Sequence, residues 1–147
     1  MQVSFFNRSR LDLADLPAVQ VSSLAEVMAQ DIVCIAVPGG AQTRHLIDAR
    51  ALAAMQRHGY LVNIARGDVI DETALIAALQ NGRIAGAGLD VYEHEPHVPQ
   101  ALRALDNVTL LPHLGTAALE VREAMGMMAL ANLEAFFDGQ PLPNPVG

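Results

Sequence analysis

The sequence predicts an α/β fold, a parallel sheet with helices packed on it, and three observations carry that expectation. Short apolar runs of strand length alternate with segments of helical period along the 147 residues. The runs, such as DIVCIAV and YLVNIA, are nearly continuous in apolar residues, the pattern of strands covered on both faces. Hydrophobic residues make up 52% of the chain and charged residues 17%, with few aromatics, a composition suited to tightly packed helix-on-sheet layers in one globular domain.

In chain order, strands are expected near residues 2–6, 32–37, 60–64, 85–90 and 108–111, and helices near 23–29, 49–57, 72–81 and 117–138. Asp48 and Asp71 stand where an N-cap is wanted, each followed by an apolar-periodic segment. Asn81-Gly82 closes the third helix with residues that tolerate a left-handed backbone. The last helix, AALEVREAMGMMALANLEAFF, is apolar on more than one face, so it must be buried or cover a partner. There is no repeat and no low-complexity segment.

The net charge is −7, all nine basic residues are Arg, and no basic face stands out, which excludes nucleic acid as an expected partner. No apolar stretch reaches membrane-spanning length and the N-terminus lacks a signal-peptide pattern, so no membrane role is expected and the cytoplasm is the default location. The single Cys34 lies inside DIVCIAV and reads as a small buried thiol, consistent with a reducing compartment.

Three polar residues follow apolar runs: Arg66 in LVNIARGDVIDE, Glu95 in AGAGLDVYEHEP and His113 in VTLLPHLGT. At the carboxyl end of a parallel strand, side chains point into the crevice where ligands bind. A guanidinium there can grip a carboxylate through two parallel hydrogen bonds. An imidazole can deliver a proton, and a carboxylate can orient it. The competing readings are structural: an Arg that caps a helix or pairs with Asp68, and a His that simply follows a strand. His45, His58, His94 and His97 are expected on loops or polar helix faces, in solvent. No metal ligands are assigned.

These three segments resemble the cofactor-domain motifs of the D-2-hydroxyacid dehydrogenases, and the likeness covers nearly the whole chain. The loop VPGGAQTRHLI and the string HEPHVPQALRALDNVTLLPH look most like the branch that reduces glyoxylate and hydroxypyruvate. The resemblance implies a Rossmann-like domain in which Arg66 anchors the substrate carboxylate and His113 is the general acid. Of the two carboxylates competing to orient His113, it favours Glu95, directly before Pro96, and leaves Glu93 solvated or structural. It places Asp90 at the nicotinamide carboxamide, and Val37, Pro38, Thr43, Ile64, Ala65, His113 and Gly115 around the cofactor.

In dinucleotide folds the second strand usually ends in an acid that binds the ribose hydroxyls of NAD. Here Asn7, Arg8, Ser9 and Arg10 follow it, a neutral amide, two guanidiniums and a hydroxyl that suit a 2′-phosphate, so NADP(H) is expected in preference to NAD(H). An ordinary polar turn is the alternative. Gly39-Gly40 departs from the Leu-Thr usual in the family. The glycines of GRIAGAG enter a strand without a following helix and are rejected as a phosphate loop.

No glycine-rich turn precedes the first strand. The expected organisation is an incomplete dinucleotide-binding domain over 1–147, lacking the first strand and its glycine-rich loop. Residues 117–147 form the helix and tail that return to an absent substrate domain. The expected function is that of a fragment of an oxidoreductase acting on a small 2-oxo or 2-hydroxy acid, inactive alone and self-associating into a homo-oligomer. The alternative is a stand-alone dimerisation or binding module.

Overall fold

Strand pairing follows the apolar runs. A computed structural model describes residues 1–11 and 17–146, in two compact units, Met1–Pro112 and His113–Gly147. The first unit holds β1 (Val3–Phe5), β2 (Ala18–Gln20), α1 (Leu24–Met28), β3 (Ile32–Ile35), α2 (Ala49–Ala54), β4 (Tyr60–Asn63), α3 (Glu72–Gln80), β5 (Gly86–Leu89), α4 (Gln100–Arg103) and β6 (Val108–Leu110). A 3-10 turn, Gly67–Val69, separates β4 from α3. All pairs are parallel, in a two-stranded sheet β1-β2 and a four-stranded sheet β3-β4-β5-β6.

Register puts Val33, Leu61, Ala87 and Val108 in one rung and Ile35, Asn63, Leu89 and Leu110 in another. Residues of these rungs join Met28, Leu52, Met55, Leu75, Leu79 and Leu102 in the core. Burying such side chains is worth about 1.5–3 kcal/mol each, which is what holds α1, α2 and α3 on this face. The intervening rungs face the other way, and there Ile32, Cys34 and Tyr60 are exposed. Two-sided cover is therefore not what the first unit has, and the buried thiol expected at Cys34 is corrected: it alternates outward between buried Val33 and Ile35.

Asp48 caps α2 by accepting from the Ala51 amide at 2.8 Å, and Asp71 caps α3 by accepting from Ala74 at 3.0 Å. Gly82 follows α3 with φ +59. The strand β2 and the single turn α4 were not anticipated. Both are short, three and four residues, and β2 is ordered by its pairing with β1 rather than by any pattern of its own. Helix α2 ends at Ala54, short of the expected residue 57.

The second unit is dominated by α5 (Leu119–Phe137), a 19-residue helix with no buried residue. Leu119, Met127, Leu133, Phe136 and Phe137 are among its exposed apolar side chains. The tail returns to the helix through Asn132, whose amide oxygen accepts from the Asn144 backbone N–H at 3.1 Å. Among the described residues no helix is long and apolar enough to cross a membrane.

Candidate active site

The carboxyl ends of β3 and β4 open onto a cleft of about 490 Å³ lined by Ala36, Val37, Pro38, Gly39, Ile64, Ala65 and Arg66. Adjacent parallel strands end at one edge of a sheet, so their following loops converge there. Four of the cofactor-binding candidates, Val37, Pro38, Ile64 and Ala65, thus meet the candidate anchor Arg66 in one place.

Arg66 is extended (φ −145, ψ 149) and makes no side-chain cap to the 3-10 turn that follows it. Its Nη1 donates to the Ala65 carbonyl at 2.6 Å. Its aliphatic stem lies across Gly39, where a Cβ would come within 2.8 Å of Arg66 Cγ. The departure from the family's Leu at this position therefore has a local meaning: only a glycine leaves the stem this path.

Asn63, which sequence reasoning passed over, shapes the turn that carries Arg66. It is 1% exposed; its Nδ2 donates to the Arg66 carbonyl at 2.9 Å and its Oδ1 accepts from the Ala65 amide at 3.0 Å. The available signal was an amide inside the otherwise apolar run YLVNIA, since a buried amide must be hydrogen-bonded.

Thr43 is buried, and its hydroxyl donates to the Pro38 carbonyl at 2.7 Å, with the Gly40 carbonyl at 3.2 Å. That geometry braces the loop beside the cleft. Asn7, Arg8, Ser9 and Arg10 are exposed after β1. The Asn7 amide donates to Ser9 O at 3.1 Å, and Gln20 on β2 donates to the carbonyls of Asn7 and Ser9 at 3.2 and 2.8 Å. Arg8 Nη1 donates to Gln42 Oε1, which brings this turn to the loop after β3.

After β5, Asp90 is buried and its amide donates to the Asn63 carbonyl at 3.0 Å. Glu95 Oε1 accepts from the Tyr92 amide at 3.0 Å, while the Tyr92 hydroxyl bonds Leu111 O at 2.8 Å. Burial pushes the Tyr92 phenol up from its ordinary range.

Glu93 is not solvated. Its side chain is 13% exposed and one carboxylate oxygen accepts from Arg44 Nη2 at 2.9 Å and faces His45 Nε2 at 3.0 Å. The hydrogen bond from His45 holds its carboxyl below the usual range, with the charges of His45, Arg44 and His94 adding to the effect against some burial. His45 lies on a loop as expected, its side chain 37% exposed, and it takes a left-handed φ of 49. His58, by contrast, makes an exposed pair with Asp31 at 2.8 Å.

His113 and Gly115 open the second unit, where both are exposed; His113 has a left-handed φ of 56. The first unit thus gathers Arg66 and the cleft residues, with the loops bearing Asp90, Glu95, Thr43 and Arg8 stitched around them.

Residues 1–115 match the family described as D-isomer specific 2-hydroxyacid dehydrogenase, NAD binding domain. The chain is 49% identical over 116 residues to glyoxylate/hydroxypyruvate reductase A of Arabidopsis thaliana, covering 79% of this chain and 37% of that protein. It is 43% identical to the glyoxylate reductase of Pyrococcus furiosus, over 99% of this chain and 44% of the relative. Among solved structures it is similar to the NADPH-dependent glyoxylate/hydroxypyruvate reductase of Sinorhizobium meliloti in complex with NADP and malonate. That likeness has a TM-score of 0.94 and 39% identity, over 99% of this chain and 46% of the other. The chain spans less than half the length of these relatives. With the parallel sheet, the cleft at the ends of β3 and β4 and this family match in agreement, the chain belongs to the D-isomer specific 2-hydroxyacid dehydrogenases, a family of oxidoreductases, through their NAD-binding domain.

Proposed function

We propose that this domain serves an NADP(H)-dependent reductase of small 2-oxo acids of the glyoxylate and hydroxypyruvate type, together with a segment equivalent to the rest of its relatives' length. The observation that carries the reading is the meeting of Arg66 with Val37, Pro38, Ile64 and Ala65 at one cleft. The residues present fit the cofactor. The cleft mixes apolar side chains with a guanidinium, and the turn after β1 offers Arg8, Ser9 and Arg10 as exposed donors for a phosphate. When bound, a nicotinamide cofactor supplies the hydride.

The remaining chemistry belongs to the chain's own residues. Arg66 binds the substrate carboxylate and, by its positive charge, polarises the neighbouring carbonyl. His113 carries the proton that the carbonyl oxygen receives. Glu95, its carboxylate already held by the Tyr92 amide, is the carboxylate assigned to orient that imidazole in this reading. Asp90 takes the nicotinamide carboxamide, and Thr43 and Gly115 are assigned to the cofactor as well in this reading. The protein works in the cytoplasm.

Replacing His113 with Ala in the relatives-length protein should lower turnover about a hundredfold or more, the scale of a lost general acid. Unchanged turnover on every 2-oxo acid tried would overturn the assignment. Changing Asn7 to Asp together with Arg8 to Ala should shift preference toward NADH; a wild type already more efficient with NADH would refute the NADP(H) reading. For the 147 residues alone the proposal is feeble cofactor binding without turnover. Self-association is supported by the exposed Leu, Met and Phe side chains of α5. A clean monomer in sedimentation would count against it.

A further inference from the structure

We propose that Glu93 is a positioning residue for the site, a clamp that sets where the loop after β3 and the Arg66 turn stand relative to each other. This rests on the reading of Arg66 as the carboxylate anchor. Three observations carry it. The Glu93 carboxylate holds Arg44 and His45, the last two residues of the turn that begins at Gly40, and that turn is closed internally by the Thr43 and Arg44 amides donating to the Gly40 carbonyl at 3.0 Å each. The His45 amide donates to the Asp68 carbonyl at 2.8 Å, so the same residue ties the turn to the segment directly after Arg66. The Glu93 backbone, in turn, abuts Gly67, where a Cβ would meet Glu93 N at 2.4 Å.

One carboxylate therefore sits at the junction of the three loops that follow β3, β4 and β5. The charge pattern suits a fixed anion. Arg44, His45 and His94 lie around it and hold its carboxyl below the ordinary range. Glu72 accepts from the Glu93 amide at 3.4 Å and has its own carboxyl pushed up, by burial first and by the Glu93 charge after. An ionised carboxylate is acceptor-only and can hold two donors at once. His45 adds a further sign of tension, since a left-handed φ outside glycine persists only where surrounding contacts enforce it.

The test has two arms. In the 147-residue chain, nuclear magnetic resonance follows the Gly39 and Gly40 amides and the Arg66 side chain in Glu93→Gln, Arg44→Met and His45→Asn; asparagine tolerates the left-handed backbone and so isolates the lost pairing. The expected result is that all three variants move the Gly39, Gly40 and Arg66 signals, and that His45→Asn raises the Glu93 carboxyl midpoint. Signals at Gly39, Gly40 and Arg66 unchanged in folded Arg44→Met and His45→Asn would overturn the proposal, whether or not Glu93→Gln folds. In the relatives-length reductase the same variants should raise KM for the 2-oxo acid about tenfold while kcat falls less than about threefold, the split expected when binding geometry rather than chemistry is lost. Equal loss of kcat and kcat/KM would also overturn it. A wild type inert on every 2-oxo acid would sink the functional reading and leave the resonance arm to decide the clamp.

Discussion

Gly67 meets the backbone of Tyr92 so closely that a Cβ on it would lie 1.8 Å from the Tyr92 carbonyl carbon and 2.0 Å from its oxygen. Two loops that follow neighbouring strands are thereby pressed together with nothing but hydrogen between them. Arg66 stands one residue before this contact and Glu93 one residue after it. The Arg-Gly pair is thus a guanidinium and the only residue type that lets its loop reach the next one.

Replacing Gly67 with Ala should be among the most damaging single changes in the first unit. Overpacking costs about 1–3 kcal/mol when side chains can yield. Here the obstacle is backbone, so the loss should reach the top of that range or exceed it. Urea unfolding of the variant should show a clearly lowered midpoint, and a midpoint equal to wild type would contradict the geometry.

Gly39→Ala should behave differently. Its added methyl meets the Arg66 stem at 2.8 Å, a flexible group on an exposed residue, so stability should change little. The guanidinium, however, must move. In the reductase the expected readout is a raised KM for the 2-oxo acid with a near-normal melting temperature; an unaltered KM would show that the stem has a second path.

Asn63→Ala removes the side-chain acceptor of the Ala65 amide and one of two donors to the Arg66 carbonyl, which the Val69 amide also reaches at 3.3 Å, at a nearly inaccessible site. Leaving a buried polar group unsatisfied costs about 1–3 kcal/mol per group. Chemical denaturation should register a loss of that order, while Asn63→Asp, which keeps an acceptor for Ala65, should lose less on that side. Equal midpoints for wild type and Asn63→Ala would refute the role given to this amide.

Two glutamates should tilt the stability profile on the acid side in opposite senses. Glu93, held down chiefly by the His45 hydrogen bond, contributes stability that is present above the ordinary value of 4.5 and lost as pH falls through its lower folded value. Glu72, pushed up chiefly by burial, contributes stability that is complete below 4.5 and lost as pH rises through its higher folded value. Denaturation across the acid range should therefore show Glu93→Gln flattening the drop below 4.5, and Glu72→Gln flattening the decline just above it. Identical profiles for both variants would mean that neither carboxyl is perturbed as described.

The sequence by itself determined the parallel α/β class, five of the six strands among the described residues, the caps at Asp48 and Asp71 and the turn at Gly82, because each is written in local periodicity or in residues adjacent along the chain. It also marked Arg66, whose strand-end position follows from the run before it. Only the tertiary structure decided the rest. Cys34 faces outward because cover on a strand depends on what packs over each side, and the apolar run DIVCIAV is the same whichever side is bare. Strand β2 exists through its partner β1, across a separation that no local window spans. The pairing of Glu93 with His45 is hidden in the sequence because the two stand 48 positions apart, and only the loops after β3 and β5 bring them to 3.0 Å. Local sequence encodes the free energy of single elements; contacts across loops are fixed only when strand order puts those loops side by side.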